Sequence, residues 1–415
     1  MRRVSTDMPN TDIQFYLRRK EDAIQNLQNK MSSGNKLNNL SDDPLAAARA
    51  VRYQSFLARL SRFENNTQFA QDHLNHVDTY LQRGVDVLQR VRELAVTGAN
   101  GTYTPADTRN MAMEVNELMK ELVSIANATG PDTRQLFSGD RVFTQPFRIV
   151  EGRVEGGPEA LVVDVEYRGA GSTRRTEINE RTFINLDISG GQAFWAERMQ
   201  VFSSVDATNW RAMQNGAFFI NGHEIPVREG DTLATVVASI NESGAAVRAS
   251  VDPSTQGLVI TGTSAHLIRM EDREGSSTLE ELGIIRFNAD PGAPNWDPSA
   301  RVAGGSTFDM VIRLRDALLR GDNDFVGRLG LSGIDLALEN MTANLAEVGS
   351  RNERAAMTAS RLNQEIPNTA AMLARDTGVD MMTAATDLAM MDLAHRAALQ
   401  TAAKIVPQTL LDFIR

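Results

Sequence analysis

The sequence of 415 residues contains no cysteine, and this absence removes several classes of function. Without cysteine the chain has no disulfide scaffold, no thiolate zinc site and no cysteine nucleophile. A phosphate-binding G-x-x-x-x-G-K-[ST] loop and a dinucleotide-binding G-x-G-x-x-G turn are also missing. The formal net charge of −10 gives the chain an overall field that does not attract nucleic acid or anionic lipid.

Long hydrophobic runs are also absent from the sequence. No run of 18 apolar residues occurs, so no membrane-spanning segment and no membrane insertion are predicted. The start, MRRVSTDMPNTD, has basic residues but no apolar stretch, so we expect no Sec-type signal peptide. Hydrophobic residues nevertheless make up 42% of the chain, which is enough to build cores and argues against general disorder.

Proline is absent from two long flanking segments. None occurs from residue 45 to 104 or from 299 to 366, whereas eight of the 13 prolines lie between Pro131 and Pro298. Proline breaks helix interiors because its ring clashes with the preceding turn and it lacks an N–H group. The flanks are therefore predicted to be long helices, and the middle is predicted to be β structure with many turns.

The N-terminal flank carries a heptad pattern with apolar residues at alternating spacings of three and four, which predicts a helix with one buried seam. Asp43 is placed to cap this helix, and Pro44 suits its first position. Gly98 and Gly101 are expected to end it. A second helix is predicted from Thr104–Pro105, with Asp107 completing a capping box.

The C-terminal flank repeats the same rhythm from Ile334 to Ile366. A seam of that length needs partner helices, and the economical partner is the N-terminal flank in an antiparallel bundle or coiled coil. The predicted fold is mainly α, with a β-rich domain inserted at the tip of this bundle. The predicted bundle seam consists of Leu74, Val77, Leu81, Leu88, Val91, Leu338, Met341, Leu345 and Val348.

The two ends of the chain carry further apolar stripes beyond the bundle. An isolated helix with one apolar stripe is only marginally stable, so these stripes require a partner. We predict that the partner is other subunits, while a simple pairing of the two ends within one chain stays open. The predicted subunit-interface residues are Ile13, Leu17, Ile24, Leu27, Met31, Leu388, Met391, Leu399, Ala402, Val406, Leu410 and Phe413.

The predicted domain division follows from these patterns. An N-terminal assembly helix spans 1–43, and the first part of the bundle spans 44–140. A central β-rich domain spans 141–304, the second part of the bundle 305–366, and a C-terminal assembly helix 367–415. The stretch around Pro367 is expected to separate this last helix from the bundle.

Local signals in the central segment favour antiparallel strands. Asn221–Gly222 between two apolar runs predicts a hairpin. Residues 161–167, 247–251 and 258–260 alternate or run as short strands. Thr232 is expected to cap a short helix from Leu233, and Ser277 with Glu280 is predicted to form a capping box.

Signals for catalysis are weak. His223–Glu224 begins a zinc-protease H-E-x-x-H pattern, but Pro226 follows and the second histidine is missing, so an exposed polar pair on a hairpin is the preferred interpretation. His73 and His76 are predicted to lie on the solvated flank of the long helix. We therefore predict that the chain is not an enzyme and that it has no catalytic residue, no metal site and no cofactor.

Four segments of the helical arms form a recognisable set: SSGNKLNN (32–39), SDDPLAAA (41–48), LQRVRELAV (88–96) and LFSG (136–139). Together they resemble the bacterial flagellin family. The central Phe219–Gly222 hairpin through Leu282–Ile284 also resembles the β insert of such proteins. Within the family, SDDP followed by alanines is more similar to the hook-associated branch than to filament subunits.

The resemblance implies a structural role in the flagellum. It implies terminal helices that assemble with copies of the same chain, and export through the flagellar type III apparatus to the outside of the cell or the periplasm. The implied partners are a hook-side junction protein, flagellin, and an export chaperone on the C-terminal helix. A filament-forming flagellin is the alternative, and a flagellin-like metalloprotease is a more distant one.

Overall fold

The structure is a computed structural model that describes residues 8–37, 43–100, 102–154, 157, 160–171, 173–286 and 295–405, with the backbone alone for 8–11, 13 and 402–405. The fold is mainly α, with helices at both ends and small antiparallel sheets in the middle, as predicted. The helices are α1 (Met8–Ser33), α2 (Pro44–Gly98), α3 (Pro105–Ala126), α4 (Gly190–Ala193), α5 (Leu233–Glu242), α6 (Thr278–Glu281), α7 (Thr307–Arg320), α8 (Asn323–Phe325), α9 (Leu331–Thr377) and α10 (Met381–Ile405).

The strands lie between α3 and α7 and pair only in the antiparallel sense within the described part of the chain. They form two hairpins, β1–β2 and β3–β4, a three-stranded sheet in the order β10-β6-β7, and a four-stranded sheet in the order β11-β5-β9-β8. The strands are β1 (Phe147–Gly152), β2 (Leu161–Tyr167), β3 (Arg175–Asn179), β4 (Thr182–Asn185), β5 (Gln200–Phe202), β6 (Gly216–Ile220), β7 (His223–Val227), β8 (Val247–Val251), β9 (Leu258–Gly262), β10 (Met270–Asp272) and β11 (Arg301–Ala303).

The chain divides into two compact units. The smaller unit contains Met1–Glu64 and Ser360–Arg415, and the larger unit contains Asn65–Ala359. Because α2 and α9 are long, each contributes to both units. Within the larger unit α2 and α9 are antiparallel, since Arg92 Nε lies 2.6 Å from Asp335 Oδ1 and Asn352 Nδ2 donates to Asn75 Oδ1 at 2.6 Å.

The heptad positions of α2 and α9 face the core of the larger unit. Leu74, Leu81 and Leu88 are wholly buried on α2, as is Met341 on α9, whereas Leu338 and Leu345 are half-buried. Each fully buried aliphatic side chain contributes roughly 1.5–3 kcal/mol. The pairing of these helices is therefore a main source of stability in this unit.

Capping groups set the helix starts largely as the sequence indicates. Asp43 Oδ1 accepts hydrogen bonds from the N–H groups of Leu45 and Ala46, at 3.1 and 3.0 Å, where α2 begins. The capping box between Thr104 and Asp107 is confirmed at α3. The Thr232 side chain caps α5, as predicted.

The predicted capping box at Ser277 is wrong. The Ser277 hydroxyl makes no cap hydrogen bond and donates instead to Glu281. The carboxylate of Asp272, at the end of β10, accepts from the N–H groups of Leu279 and Glu280 at 3.1–3.2 Å. A charged acceptor from a neighbouring strand has thus taken the donors that the serine would have satisfied.

The predicted interruption at Pro367 is also wrong, because α9 continues through this residue to Thr377. The proline removes one helical hydrogen bond, but Leu362 before it and Thr369 after it are both buried in the smaller unit. Packing on both sides therefore outweighs the local preference. The break falls at Gly378, which is followed by Asp380 at the start of α10.

Among its described residues, the larger unit contains two hydrophobic cores. One joins the helices to β1–β4, and the other fills the space between α5 and the two larger sheets. The predicted hairpin is confirmed as β6–β7, where Asn221 and Gly222 have φ values of 50° and 82°. Both residues with positive φ match a type I′ turn. Leu267 packs against both cores and marks their junction.

Candidate assembly surface on the terminal helices

The smaller unit pairs the two terminal helices of the chain in antiparallel fashion. His395 Nε2 lies 3.7 Å from Glu21 Oε1 at one end. At the other end the Lys36 N–H donates to the Thr377 carbonyl at 2.6 Å, and the Val379 N–H donates to the Gly34 carbonyl at 3.1 Å. The pairing of the two ends, which the sequence left open, therefore occurs within one chain.

This pairing covers the predicted stripes only in part. On α1, Leu17, Ile24, Leu27 and Met31 are half-buried, as is Leu388 on α10. On α10, Met391 and Leu399 stay 40% and 44% exposed. Ile13 and Ala402 have only their backbone described, and Val406, Leu410 and Phe413 lie outside the described residues.

Large apolar side chains outside the seam are more exposed still. Phe15 and Tyr16 on α1 are exposed by 62% and 64% and contact each other edge to face. On α10, Met382, Met390 and Leu393 are exposed by 80%, 66% and 70%. Large exposed apolar residues on a pair of helices indicate an interaction surface. We call these five residues the outer apolar face.

The predicted interface stripes contain none of these five residues. The methionines of α10 stand out as a group, and soft, flexible methionine side chains suit an adaptable contact. Phe15, Tyr16 and Leu393 were not predicted, because they lie outside the single apolar stripe expected on each helix. A second apolar stripe on each helix could have predicted this face, because two paired helices bury only one side of each other.

The Asp380 side chain fixes the start of α10. It accepts hydrogen bonds from the Thr383 hydroxyl at 2.7 Å and from the Met382 N–H at 3.1 Å. These hydrogen bonds hold the pKa of Asp380 below its ordinary value. The carboxylate also favours the positive end of the helix dipole, so α10 begins at a defined residue.

A buried polar cluster in the larger unit corrects the prediction for His73. This histidine is 6% exposed, and its Nε2 lies 2.8 Å from Asp187 Oδ1. Arg174 donates to both oxygens of Asp187 at 2.8 Å, and Arg351 of α9 donates to the Asp187 carbonyl at 3.1 Å. The cluster joins α2 and α9 to the segments flanking the β3–β4 hairpin.

The charge balance of this cluster depends on Asp187. Burial disfavours its carboxylate, but the hydrogen bonds from His73 and Arg174 outweigh that cost, and the pKa of Asp187 is held below its ordinary value. The carboxylate is therefore ionised and paired at neutral pH. The arrangement is an interior ion network that holds structure together.

The two residues that begin the incomplete zinc-protease pattern lie on a strand. His223 and Glu224 are exposed on β7, and Glu224 Oε1 accepts from Arg273 Nη1 at 2.9 Å. A strand does not present the helical spacing that a zinc protease motif needs. In the described ranges, no group of three or more His, Asp or Glu side chains is arranged to hold a metal ion.

No described helix is long and apolar enough to cross a membrane.

Comparison with known proteins places these features in a family. A family model described as the bacterial flagellin N-terminal helical region matches residues 4–141. A second, the flagellin hook IN motif, matches residues 214–264. These two regions of the chain therefore carry flagellin-family domains. The flagellin N-terminal match spans α1, α2 and α3, and the hook IN match spans β6, β7, α5, β8 and β9.

The relatives include both branches of the flagellin family. Flagellar hook-associated protein 3 of Escherichia coli K12 is 30% identical over 137 residues, which are 33% of this chain and 43% of that protein. Flagellin FlaB1 of Treponema pallidum is 32% identical over 129 residues, 31% of this chain and 43% of that protein. The matched part of the chain thus spans about half the length of these relatives.

The chain is also similar to a solved structure, that of flagellar hook-associated protein 3 of Legionella pneumophila. It is 16% identical and has a TM-score of 0.45, and the match covers 78% of this chain and 97% of that one.

Proposed function

We propose that this flagellin-family chain is a structural component of the bacterial flagellum that joins the hook to the filament. The chain would be exported by the flagellar type III apparatus and would lie outside the cell, or in the periplasm where the flagellum is internal. The outer apolar face of the paired terminal helices carries this proposal. Its burial would contribute roughly 25 cal/mol per Å² of apolar area.

The position between hook and filament rests on the names of relatives. The E. coli and Salmonella typhimurium LT2 proteins among them are called flagellar hook-associated protein 3. In this proposal the partners are copies of the chain, a hook-side junction protein and flagellin. An export chaperone would bind the exposed methionine-rich side of α10, which includes Met381 and Met382. Heterologous contacts between copies produce helical layers rather than closed dimers.

The alternative is a filament-forming flagellin, which the match to T. pallidum FlaB1 favours. Purified protein that polymerises by itself into long filaments would support that alternative. A junction component is instead expected to stay short and to depend on the hook end for incorporation. Electron microscopy of the purified chain at rising concentration separates the two.

Imaging with gold-labelled antibody tests the proposal directly. We expect label only at the distal end of the hook on flagella from cells that produce the chain. The double variant Met382→Asp with Leu393→Asp is expected to be exported but not incorporated. Met213→Asp, at an 85% exposed position in the larger unit, is the matched control and should incorporate normally. Normal incorporation of the double variant, or label along the whole filament, would contradict the proposal.

A further inference from the structure

A cleft in the larger unit plays no part in the proposed assembly surface. Its volume is about 500 Å³, and Leu267, at the junction of the two hydrophobic cores, is among its lining residues. Tyr167 and Trp195 line it from one core and Trp296 from the other. Clefts between packed bodies are usual positions for bound ligands.

Two strand edges face this cleft. Residues 164–167 and 267–276 line it in unbroken runs. Side chains of a strand alternate between two faces, so a cleft against one face would be lined by every second residue. The unbroken runs therefore place the edges of β2 and β10 at the cleft. Both strands lie at the margin of their sheets.

The open edge of β10 offers hydrogen-bonding groups. The Arg273 N–H donates to the Ala217 carbonyl and the Arg269 carbonyl accepts from the Asn221 N–H, so these residues bond toward β6. Antiparallel alternation turns the main-chain groups of Met270 and Asp272 the other way.

A side chain occupies one position on that open edge. There Asn295 Nδ2 donates to the Met270 carbonyl at 3.0 Å, as a neighbouring strand would. By the same alternation the N–H groups of Met270 and Asp272 lie on this open edge, and in the described ranges no hydrogen bond joins them to a group outside the strands. The edge is thus only partly satisfied, and it can pair with an added strand.

The charged side chains that line the cleft favour a cationic ligand. Seven carboxylates and three arginines line it. Burial raises the pKa of Asp272 to about 6 and also raises that of Asp164. Neither carboxylate has an ion-pair partner among the side chains that the structure describes, so a cation in the cleft would favour their charged forms. The indole rings of Trp195 and Trp296 add surfaces that attract cations.

We propose that this cleft binds an extended, basic segment of another polypeptide, which adds as a strand beside β10 and places lysine or arginine side chains among the carboxylates and indoles. Strand addition of this kind takes affinity from main-chain hydrogen bonds and specificity from alternate side chains. The competing explanation is that the carboxylates only prevent unwanted pairing of exposed strand edges.

Tryptophan fluorescence of the full chain tests the proposal. The variant Trp210→Phe removes the tryptophan outside the cleft, whose Nε1 donates to Glu281, and leaves Trp195 and Trp296 as reporters. The probe is the capped heptapeptide Thr-Lys-Val-Lys-Val-Lys-Thr, and the control probe has glutamate in place of lysine. The lysine peptide is expected to bind at least about tenfold more tightly.

Two N-methylated lysine peptides test the strand geometry. An added strand uses only alternate amide groups toward its neighbour. Methylation of either the valine amides or the lysine amides, but not both, is therefore expected to weaken binding about tenfold. Equal effects of the two methylations would contradict strand addition.

Charge variants locate the site. Glu271→Lys with Glu274→Lys changes two exposed residues of the cleft and should weaken binding of the lysine peptide by about tenfold or more. Glu229→Lys with Glu242→Lys makes the same charge change at exposed positions outside the cleft and should leave binding within about twofold.

Three further outcomes would overturn the proposal. Lysine amide binding as tightly as the lysine peptide would make the cleft a small-cation site. Equal binding of the glutamate peptide would remove the charge argument. No binding up to about 1 mM peptide would leave edge protection as the role of the carboxylates.

Discussion

At the residue scale, the cluster around Asp187 shows what a single sequence conceals. Asp187 lies 114 residues from His73, and no local pattern connects them. His73 was predicted on a solvated flank because it neighbours the seam residue Leu74. It also lies three residues after Ala70 and four before Val77, both of which are wholly buried, and that spacing placed it on the core side.

Replacement of Asp187 tests the role of this cluster. Asp187→Asn keeps the shape of the side chain but leaves Arg174 without its buried counter-charge, so we expect a loss of about 3 kcal/mol in the free energy of unfolding. Asp72→Asn, at an exposed position on the same helix as His73, is the control and should change stability little. Urea unfolding followed by circular dichroism measures both. A loss below about 1 kcal/mol would mean that the network adds little.

The pH dependence of stability gives a second test at this scale. The folded-state pKa of Asp187 lies below its unfolded value of about 3.9, so its contribution is present above that value and is lost as pH falls through the lower, folded pKa. Asp187→Asn is therefore expected to flatten the acid side of the stability profile. An unchanged slope below about pH 4 would contradict this assignment.

At the element scale, helix and strand positions were largely predictable because their signals are local. The seam spacing, the caps at Thr104 and Thr232 and the Asn221–Gly222 turn each lie within a few residues of the structure they determine. The errors at Ser277 and Pro367 have a different origin. At Ser277 the Asp272 carboxylate of β10 replaced the expected cap, and at Pro367 the burial of Leu362 and Thr369 outweighed the local preference.

Pro367 gives a prediction for one element. Because α9 is helical on both sides of it, Pro367→Ala should restore one main-chain hydrogen bond and raise the stability of the chain by about 1–3 kcal/mol. The neighbouring exposed substitution Asn368→Ala is the control for helix propensity and should contribute about 0.5 kcal/mol or less. Thermal unfolding measures both. A destabilised Pro367→Ala variant would show that packing of α9 requires the proline.

At the scale of the whole molecule, composition and periodicity were sufficient for the fold class, because long proline-free heptads and a proline-rich centre have few alternative architectures. They did not decide whether the terminal stripes pair within one chain. An apolar stripe indicates that a helix packs against a partner, but not whether that partner belongs to the same chain. The structure adds that this pairing leaves the outer apolar face uncovered. Assembly and intrachain pairing are therefore compatible, each using a different side of the helices.

Methionine oxidation in free and assembled protein tests this account most directly. Met382 and Met390 belong to the outer apolar face, whereas Met213 is exposed in the larger unit and serves as an internal reference. Peroxide treatment followed by mass spectrometry should oxidise all three at similar rates in the isolated chain. In purified flagella the rates at Met382 and Met390 should fall about tenfold while that at Met213 is retained, as expected for side chains buried by neighbouring subunits. Equal oxidation of Met382 and Met390 in the two states would contradict the claim that this face is where the chain assembles.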